Sequence, residues 1–234
     1  MRADKLLSHL GHGSRREVKR FLRQGALVVN GETVKDPKTH VDTENQEIEL
    51  FGEKVTYREY IYLLMNKPSG VISATEDAEE DTIIDILEPE DVIFAPFPVG
   101  RLDKDTTGLL LLTNDGKLAH QLTSPKRKVD KEYRVTLSEP ITEEALRKLR
   151  EGVLLEDGYK TKPAKAVSTE SNNIIFLTIQ EGKYHQVKRM MAACGNHVEE
   201  LERVRMGTLY LDDDLSPGEY RELTEKEVQR LSEN

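Results

Sequence analysis

Asp103 and Asp105 stand two residues apart in a polar turn, directly before four consecutive leucines, Leu109 to Leu112. A carboxylate so placed can serve as nucleophile, as general base or as half of an acid/base pair. Residues 99–116 read VGRLDKDTTGLLLLTNDG, with Arg101 beside the first carboxylate. Four large apolar residues between Gly108 and Asn114-Asp115-Gly116 are too few for a helix and predict a strand covered on both faces. Asp103 is therefore expected on a rigid scaffold. Taken alone, a loop carboxylate more often bonds neighbouring backbone N–H groups than does chemistry. Two carboxylates also invite a glycosidase reading, but nothing in the spacing sets the roughly 5 to 9 Å separation that such chemistry requires.

The elements around this stretch follow from period and punctuation. Residues 61–66 predict a buried strand, stopped by Lys67-Pro68-Ser69-Gly70, and residues 71–73 leave that turn as another. Thr82 is positioned to cap a short helix over residues 83–87 that Pro89 terminates. Pro96 and Pro98 make residues 95–98 a stiff approach to the central stretch, and Asn114 or Asp115 caps a helix running to Thr123. Residues 131–137 alternate, with Tyr133, Val135 and Leu137 on one face. Thr142 caps a helix over residues 143–151, and strands near 164–168 and 174–180 come next. Val187, Met190, Met191 and Cys194 recur at helical spacing over residues 184–194, so the methionine pair is core and His185 and Lys188 take another face. A strand through Leu201, Arg203 and Arg205 leads to Gly207, and a helix over 225–231 closes the chain. Strands that meander between irregularly spaced helices predict an α+β fold with a mixed, mainly antiparallel sheet.

The first 58 residues have a different character. A helix over residues 3–10 precedes a second that opens on the capping box Ser14-Arg15-Arg16-Glu17 and ends before Gly25. Val18, Phe21 and Leu22 share one face, which leaves Arg15, Arg16, Lys19, Arg20 and Arg23 on the others. Asn30-Gly31 then predicts a tight hairpin, with a further strand over residues 48–50. Residues 53–60 lack a core period, so a small domain over 1–58 is expected ahead of a larger one over 59–234.

Composition narrows the class. With 37% hydrophobic and 33% charged residues, the 234-residue chain reads as globular. It has neither an apolar run near the roughly 20 residues of a membrane span nor the apolar core of a signal peptide, so a cytoplasmic location is expected. Cys194 is the single cysteine, which gives no internal disulfide and no zinc pattern. The net charge of -9 is unevenly spread. Basic residues crowd positions 1–24, whereas residues 76–91 hold nine acidic side chains and no Lys or Arg. Local clustering, not the sum, decides whether a surface can grip phosphates.

The Gly100-Arg101-Leu102-Asp103 string resembles the signature of the bacterial RNA pseudouridine synthases, in which the Asp is the essential catalytic residue. Asn66-Lys67-Pro68, Lys131-Glu132-Tyr133-Arg134-Val135 and the run from Glu181 through His185-Gln186-Val187-Lys188-Arg189-Met190 match the same family in the same order. The segment ahead of them is similar to the S4 domain, which binds structured RNA by shape. The resemblance is nearest to the small-ribosomal-subunit type. It implies isomerisation of a uridine in small-subunit (16S) ribosomal RNA without metal or cofactor, by a monomer working on an assembly intermediate. Asp103 would act at the ribose or the base, Tyr133 would stack on the base, and Lys188 would keep the carboxylate ionised where many relatives carry Arg. Leu201 would pack behind the site, and Arg101, His185 and Lys67 would contact substrate. Arg15, Arg16, Lys19 and Arg20 would meet phosphates. Extrusion of the nucleotide from its stack would cost a few kcal/mol, to be offset by those contacts. Two rivals are a large-subunit enzyme, whose relatives tend to carry Arg at the position of Lys188, and a non-catalytic RNA-binding assembly protein.

Overall fold

The computed structural model describes residues 1–55 and 57–233, apart from the side chain of Arg15. They form two compact units, Met1–Ile61 with Glu88–Ala95, and Tyr62–Leu87 with Pro96–Asn234.

In the first unit, helices α1 (Ala3–His9) and α2 (Arg15–Arg23) accompany a four-stranded antiparallel sheet of β1 (Leu27–Val29), β2 (Glu32–Val34), β3 (Ile48–Leu50) and β4 (Glu53–Lys54), ordered β2-β1-β3-β4. The Glu17 carboxylate accepts from the backbone N–H and the hydroxyl of Ser14 at 2.8 and 2.7 Å, which fixes the start of α2. Asn30 and Gly31 both take positive φ, 49° and 80°, as the two-residue hairpin requires. Leu6, Leu7, Val18, Leu22, Leu27, Ile48 and Leu50 fill the core. Residues 88–95 return to this unit, with Ile93 against Gly11 and the Phe94 ring under the Arg58 guanidinium at 5.5 Å. The expected helix over 83–87 is absent. Asp85 instead ties off a turn by accepting from the backbone and hydroxyl of Thr82, and Pro89 begins the short helix α3 (Pro89–Val92), because a proline at the first helical position sacrifices no hydrogen bond.

The second unit is one mixed sheet. Its strands are β5 (Tyr62–Lys67), β6 (Phe97–Pro98), β7 (Thr107–Thr113), β8 (Lys131–Leu137), β9 (Lys165–Ser168), β10 (Ile174–Ile179), β11 (Val198–Met206), β12 (Leu209–Tyr210) and β13 (Tyr220–Glu222). The order is β13-β5-β7-β11-β8-β10-β9, with β6 on β7 and β12 on β11. Among the described residues β7 and β11 form its one parallel pair. Helices α4 (Gly116–Thr123), α5 (Glu143–Glu151), α6 (Gln186–Ala193) and α7 (Glu225–Ser232) complete the unit. The four leucines of β7 are fully buried; Leu109 and Leu111 pack with Leu64, Leu118, Leu122 and Leu231. Each such side chain contributes roughly 1.5–3 kcal/mol. Asp115 caps α4 by accepting from Lys117 and Leu118 N–H at 3.0 Å, and Thr142 caps α5. Residues 71–73, predicted as a strand, contribute one isolated bridge, Ile72 to Thr82, because their polar contacts go to a loop instead.

The sheet edge at β13 is held by Arg221, whose guanidinium reaches Asp212 at 2.5 Å and Glu227 of α7 at 2.8 Å. Hydrogen bonds from Arg221, and then those from Thr224, hold the Glu227 carboxyl down to about 2. Its folded value lies below the ordinary one of about 4.3, so this contribution to stability is complete above about pH 5 and disappears as pH falls toward 2. Glu227→Gln is expected to lower the melting temperature at pH 7 and to flatten its fall between pH 5 and 3. Parallel melting curves for the two proteins across that range would show the ion pair idle.

Candidate active site

The site begins where the parallel strands meet. Gly108 pairs with Arg203 at φ 95°, and a Cβ there would lie 2.4 Å from the Arg203 carbonyl oxygen and 2.8 Å from its nitrogen. The close approach needs glycine, and it fixes the loop of residues 100–106 beside β11.

Two buried groups shape that loop. The hydroxyl of Ser73 donates to the Leu102 carbonyl at 3.0 Å and accepts from Leu102 N–H at 3.1 Å. The ammonium of Lys67, at the end of β5, donates to the carbonyls of Pro68 at 2.9 Å, Lys104 at 3.2 Å and Thr106 at 2.9 Å. Burial pushes it down to about 8, against the pull of Asp105 and Asp103. Lys67 is fully buried, so the structure corrects its expected substrate contact: the side chain is spent on backbone carbonyls and grips the loop that carries Asp103.

Asp103, partly exposed, meets two cationic or ionisable partners from the start of α6. His185 Nε2 lies 3.5 Å from Oδ1, and Lys188 Nζ lies 3.7 Å from Oδ2. The lysine's nearer partner is Asp105, whose carboxylate oxygens accept from Nζ at 2.6 and 2.7 Å. That hydrogen bond chiefly holds the Asp105 carboxyl below its usual range. The charge expected to serve Asp103 is therefore shared. A general acid needs a raised pKa, so the lowered Asp105 also removes support from the glycosidase reading.

The turn into α6 is braced from below. Glu181, almost buried, accepts from the Lys162 N–H at 2.9 Å, from Gln186 Nε2 at 2.9 Å and from the Tyr159 hydroxyl. Burial would raise its carboxyl, but these hydrogen bonds outweigh it and hold it low. The expected helix over 184–194 starts later, at Gln186, because His185 takes a left-handed conformation, φ 47° and ψ 35°. Its ring stacks on exposed Tyr184 with centroids 3.8 Å apart.

These elements enclose a narrow inner slot and a wider cleft of about 580 Å³. Leu102, Ile179, Val187 and Leu201 line the slot together with Asp103, Tyr133, Arg101 and His185. Five predicted site residues thus share one cavity, while Lys188 touches Asp103 from α6. A carboxylate facing a slot of mixed polar and apolar walls, one of them aromatic, can attack, or take a proton from, a planar ring compound held there. Arg16, Lys19 and Arg20 belong to the other unit, exposed along α2 and lining a shallow surface with Arg23. Arg15 shares the helix, and its side chain lies outside the described residues. Ser73 and the clamp role of Lys67 escape a reading of the sequence; a lone serine in a polar turn carries no period or motif that would announce it. No group of three or more His, Cys, Asp or Glu able to hold a metal occurs among the described residues, and none of their helices is long and apolar enough to cross a membrane.

The basic capped helix and Asn-Gly hairpin have a counterpart in known proteins: residues 1–48 match the S4 domain. Residues 61–193, which hold the slot's Asp103 and Tyr133, match the RNA pseudouridylate synthase family, and the chain belongs to it. The chain is 56% identical to an uncharacterised RNA pseudouridine synthase of Bacillus subtilis (strain 168), over 100% of this chain and 99% of that one. It is 42% identical to the ribosomal small subunit pseudouridine synthase A of Vibrio vulnificus (strain CMCP6), over 97% and 98% of the two chains. A solved pseudouridylate synthase superposes with a TM-score of 0.70 at 39% identity, covering 99% of both chains. The protein is accordingly a pseudouridine synthase with an S4 domain and a mixed-sheet α+β fold.

Proposed function

We propose that this enzyme converts a specific uridine of small-subunit ribosomal RNA to pseudouridine, acting in the cytoplasm as a monomer on an assembly intermediate. The observation that carries the chemistry is Asp103 in a narrow slot walled by Tyr133 and Leu201, with His185 and Lys188 within 3.7 Å of its carboxylate. The reaction breaks the bond from ribose C1′ to N1, forms one from C1′ to C5, and moves a proton from C5 to N1. Nothing is oxidised, reduced or transferred elsewhere, so the atoms and electrons balance within the substrate. Asp103 opens the glycosidic bond, the slot keeps the freed ring in place while it turns, and Tyr133 stacks on it. Arg101, exposed at the lip, fills or grips the place the flipped nucleotide leaves. The small-subunit substrate is supported by full-length similarity to enzymes with that name, the Vibrio vulnificus protein among them. Incubating the enzyme with small- and large-subunit ribosomal RNA and mapping the products tests this: one new pseudouridine in the small-subunit RNA is expected, and conversion of large-subunit RNA alone would refute it.

In this reading residues 1–58 dock the RNA through α2. Arg16→Ala with Arg20→Ala should flatten the salt dependence of RNA affinity by roughly 0.7 to 0.9 in log-log slope for each phosphate that α2 no longer reaches. Single-turnover rate on saturating RNA should change little. An unaltered slope would mean that α2 faces solvent in the complex.

A further inference from the structure

The face of the sheet that carries Tyr133 also carries two cations that the mechanism leaves unused. Arg203 of β11 lies opposite Tyr133 of β8, and Lys131 stands two residues before Tyr133, so all three share one face. Arg203 is 1% exposed. Its Nε donates to the Leu109 carbonyl at 2.8 Å, but its Nη2 has no partner. Lys131 Nζ has a single weak contact, 3.3 Å to the Val129 carbonyl. Burial pushes its ammonium down to about 8, and the positive charge of Arg203 pushes the same way, with Asp130 opposing.

The neighbouring Arg205 shows how a cation is neutralised here. It pairs with Glu132 at 2.9 Å and Asp130 at 3.5 Å, and Asp130 also accepts from Gln180 at 2.9 Å. Neither Arg203 nor Lys131 has a carboxylate at ion-pair distance among the described residues. A buried guanidinium N–H without an acceptor is costly, and a second desolvated cation beside it adds repulsion. Such a pair is stabilised by an anion brought from outside.

Both side chains line the wider cleft with Asp103 and Tyr133, and neither lines the inner slot of Leu102, Ile179, Val187 and Leu201. The slot, with both apolar and polar walls, suits a planar base, and the cleft suits the sugar-phosphate backbone joined to that base. We propose that Lys131 and Arg203 form a phosphate pocket in the floor of the cleft, which takes one phosphodiester of the RNA as the uridine enters the slot. Lys131, partly exposed, meets the phosphate oxygen, and Arg203, its Nε fixed on the Leu109 carbonyl and its Nη2 enclosed, adds its charge from beneath. The pocket rests on the RNA substrate proposed above, and it would make one phosphate at the flipped nucleotide or its neighbour a register mark.

The test uses the full-length enzyme and a ribosomal RNA fragment that the wild type converts, so the substrate reading stands or falls before the pocket is tested. Single neutral methylphosphonates are introduced at each linkage around the converted uridine, and affinity is measured for wild type and for Lys131→Gln and Arg203→Lys. In the wild type one linkage should cost about tenfold in affinity when neutralised, the scale of one charge-assisted hydrogen bond. Lys131→Gln should weaken binding to unmodified RNA by about as much, become indifferent to that linkage, and keep its sensitivity at the others. Its melting temperature should not fall, since a desolvated charge beside Arg203 has been removed. Arg203→Lys, which keeps the charge but loses the Nε bond that fixes it beneath the pocket, should show part of the same weakening. If every linkage keeps its full penalty in both variants, or no linkage matters in the wild type, the pocket does not bind phosphate.

Discussion

Asp103→Asn should fold, bind RNA with unchanged affinity and form pseudouridine at background rate, a loss on the order of 10⁴-fold. The substitution keeps the shape of the side chain and removes the charge that faces His185 and Lys188. It leaves the loop's supports untouched, because Lys67 and Ser73 act on backbone carbonyls and on Leu102, not on the Asp103 carboxylate. The melting temperature should thus stay near that of the wild type. Appreciable single-turnover conversion by a verified Asn protein would remove Asp103 from the chemistry.

Lys188→Met should have the next largest effect, about 10²-fold at neutral pH, the scale of a missing charge-stabilising group. The ammonium touches both Asp105 and Asp103, and its hydrogen bond is the main reason that the Asp105 carboxyl sits low. Removing the cation takes away the charge that faces both carboxylates and, at Asp105, favours the protonated form. The acid limb of the single-turnover profile should move to higher pH, with part of the lost rate recovered as pH rises. Lys188→Arg keeps the charge and should move that limb much less. Asp105→Asn leaves the lysine to Asp103 alone and should cost no more than a few fold. An equal loss at every pH in Lys188→Met would mean that the lysine positions RNA or supports the turn, and that its charge is immaterial.

Much of the framework is legible in the sequence because the signals are local. The leucine run marks β7, the capping box at Ser14 marks α2, and the spacing of Val187, Met190 and Met191 marks the buried face of α6. The edge strands β6 and β13 are out of reach, since two or three residues become a strand only by pairing with distant partners, Thr113 and Leu112 for β6, Leu63 to Met65 for β13. The same holds for the site. Short motifs point to Asp103, Tyr133 and Lys188. The division of Lys188 between two carboxylates, the grip of Lys67 on three carbonyls and the paired cations Lys131 and Arg203 depend on distances across the sheet, which no periodicity records. Lys67 reads as a substrate contact in the sequence because a lysine in a matched motif is ordinarily taken for an exposed charge.

The most direct measurement is a map of pseudouridines in the ribosomal RNA of cells that lack this protein, complemented with wild type or with Asp103→Asn. One uridine of the small-subunit RNA should lose its modification on deletion, regain it with the wild type and remain unmodified with the Asn variant, every large-subunit site staying as it was. Loss confined to large-subunit RNA would contradict the proposed substrate, and restoration by Asp103→Asn would contradict the proposed nucleophile.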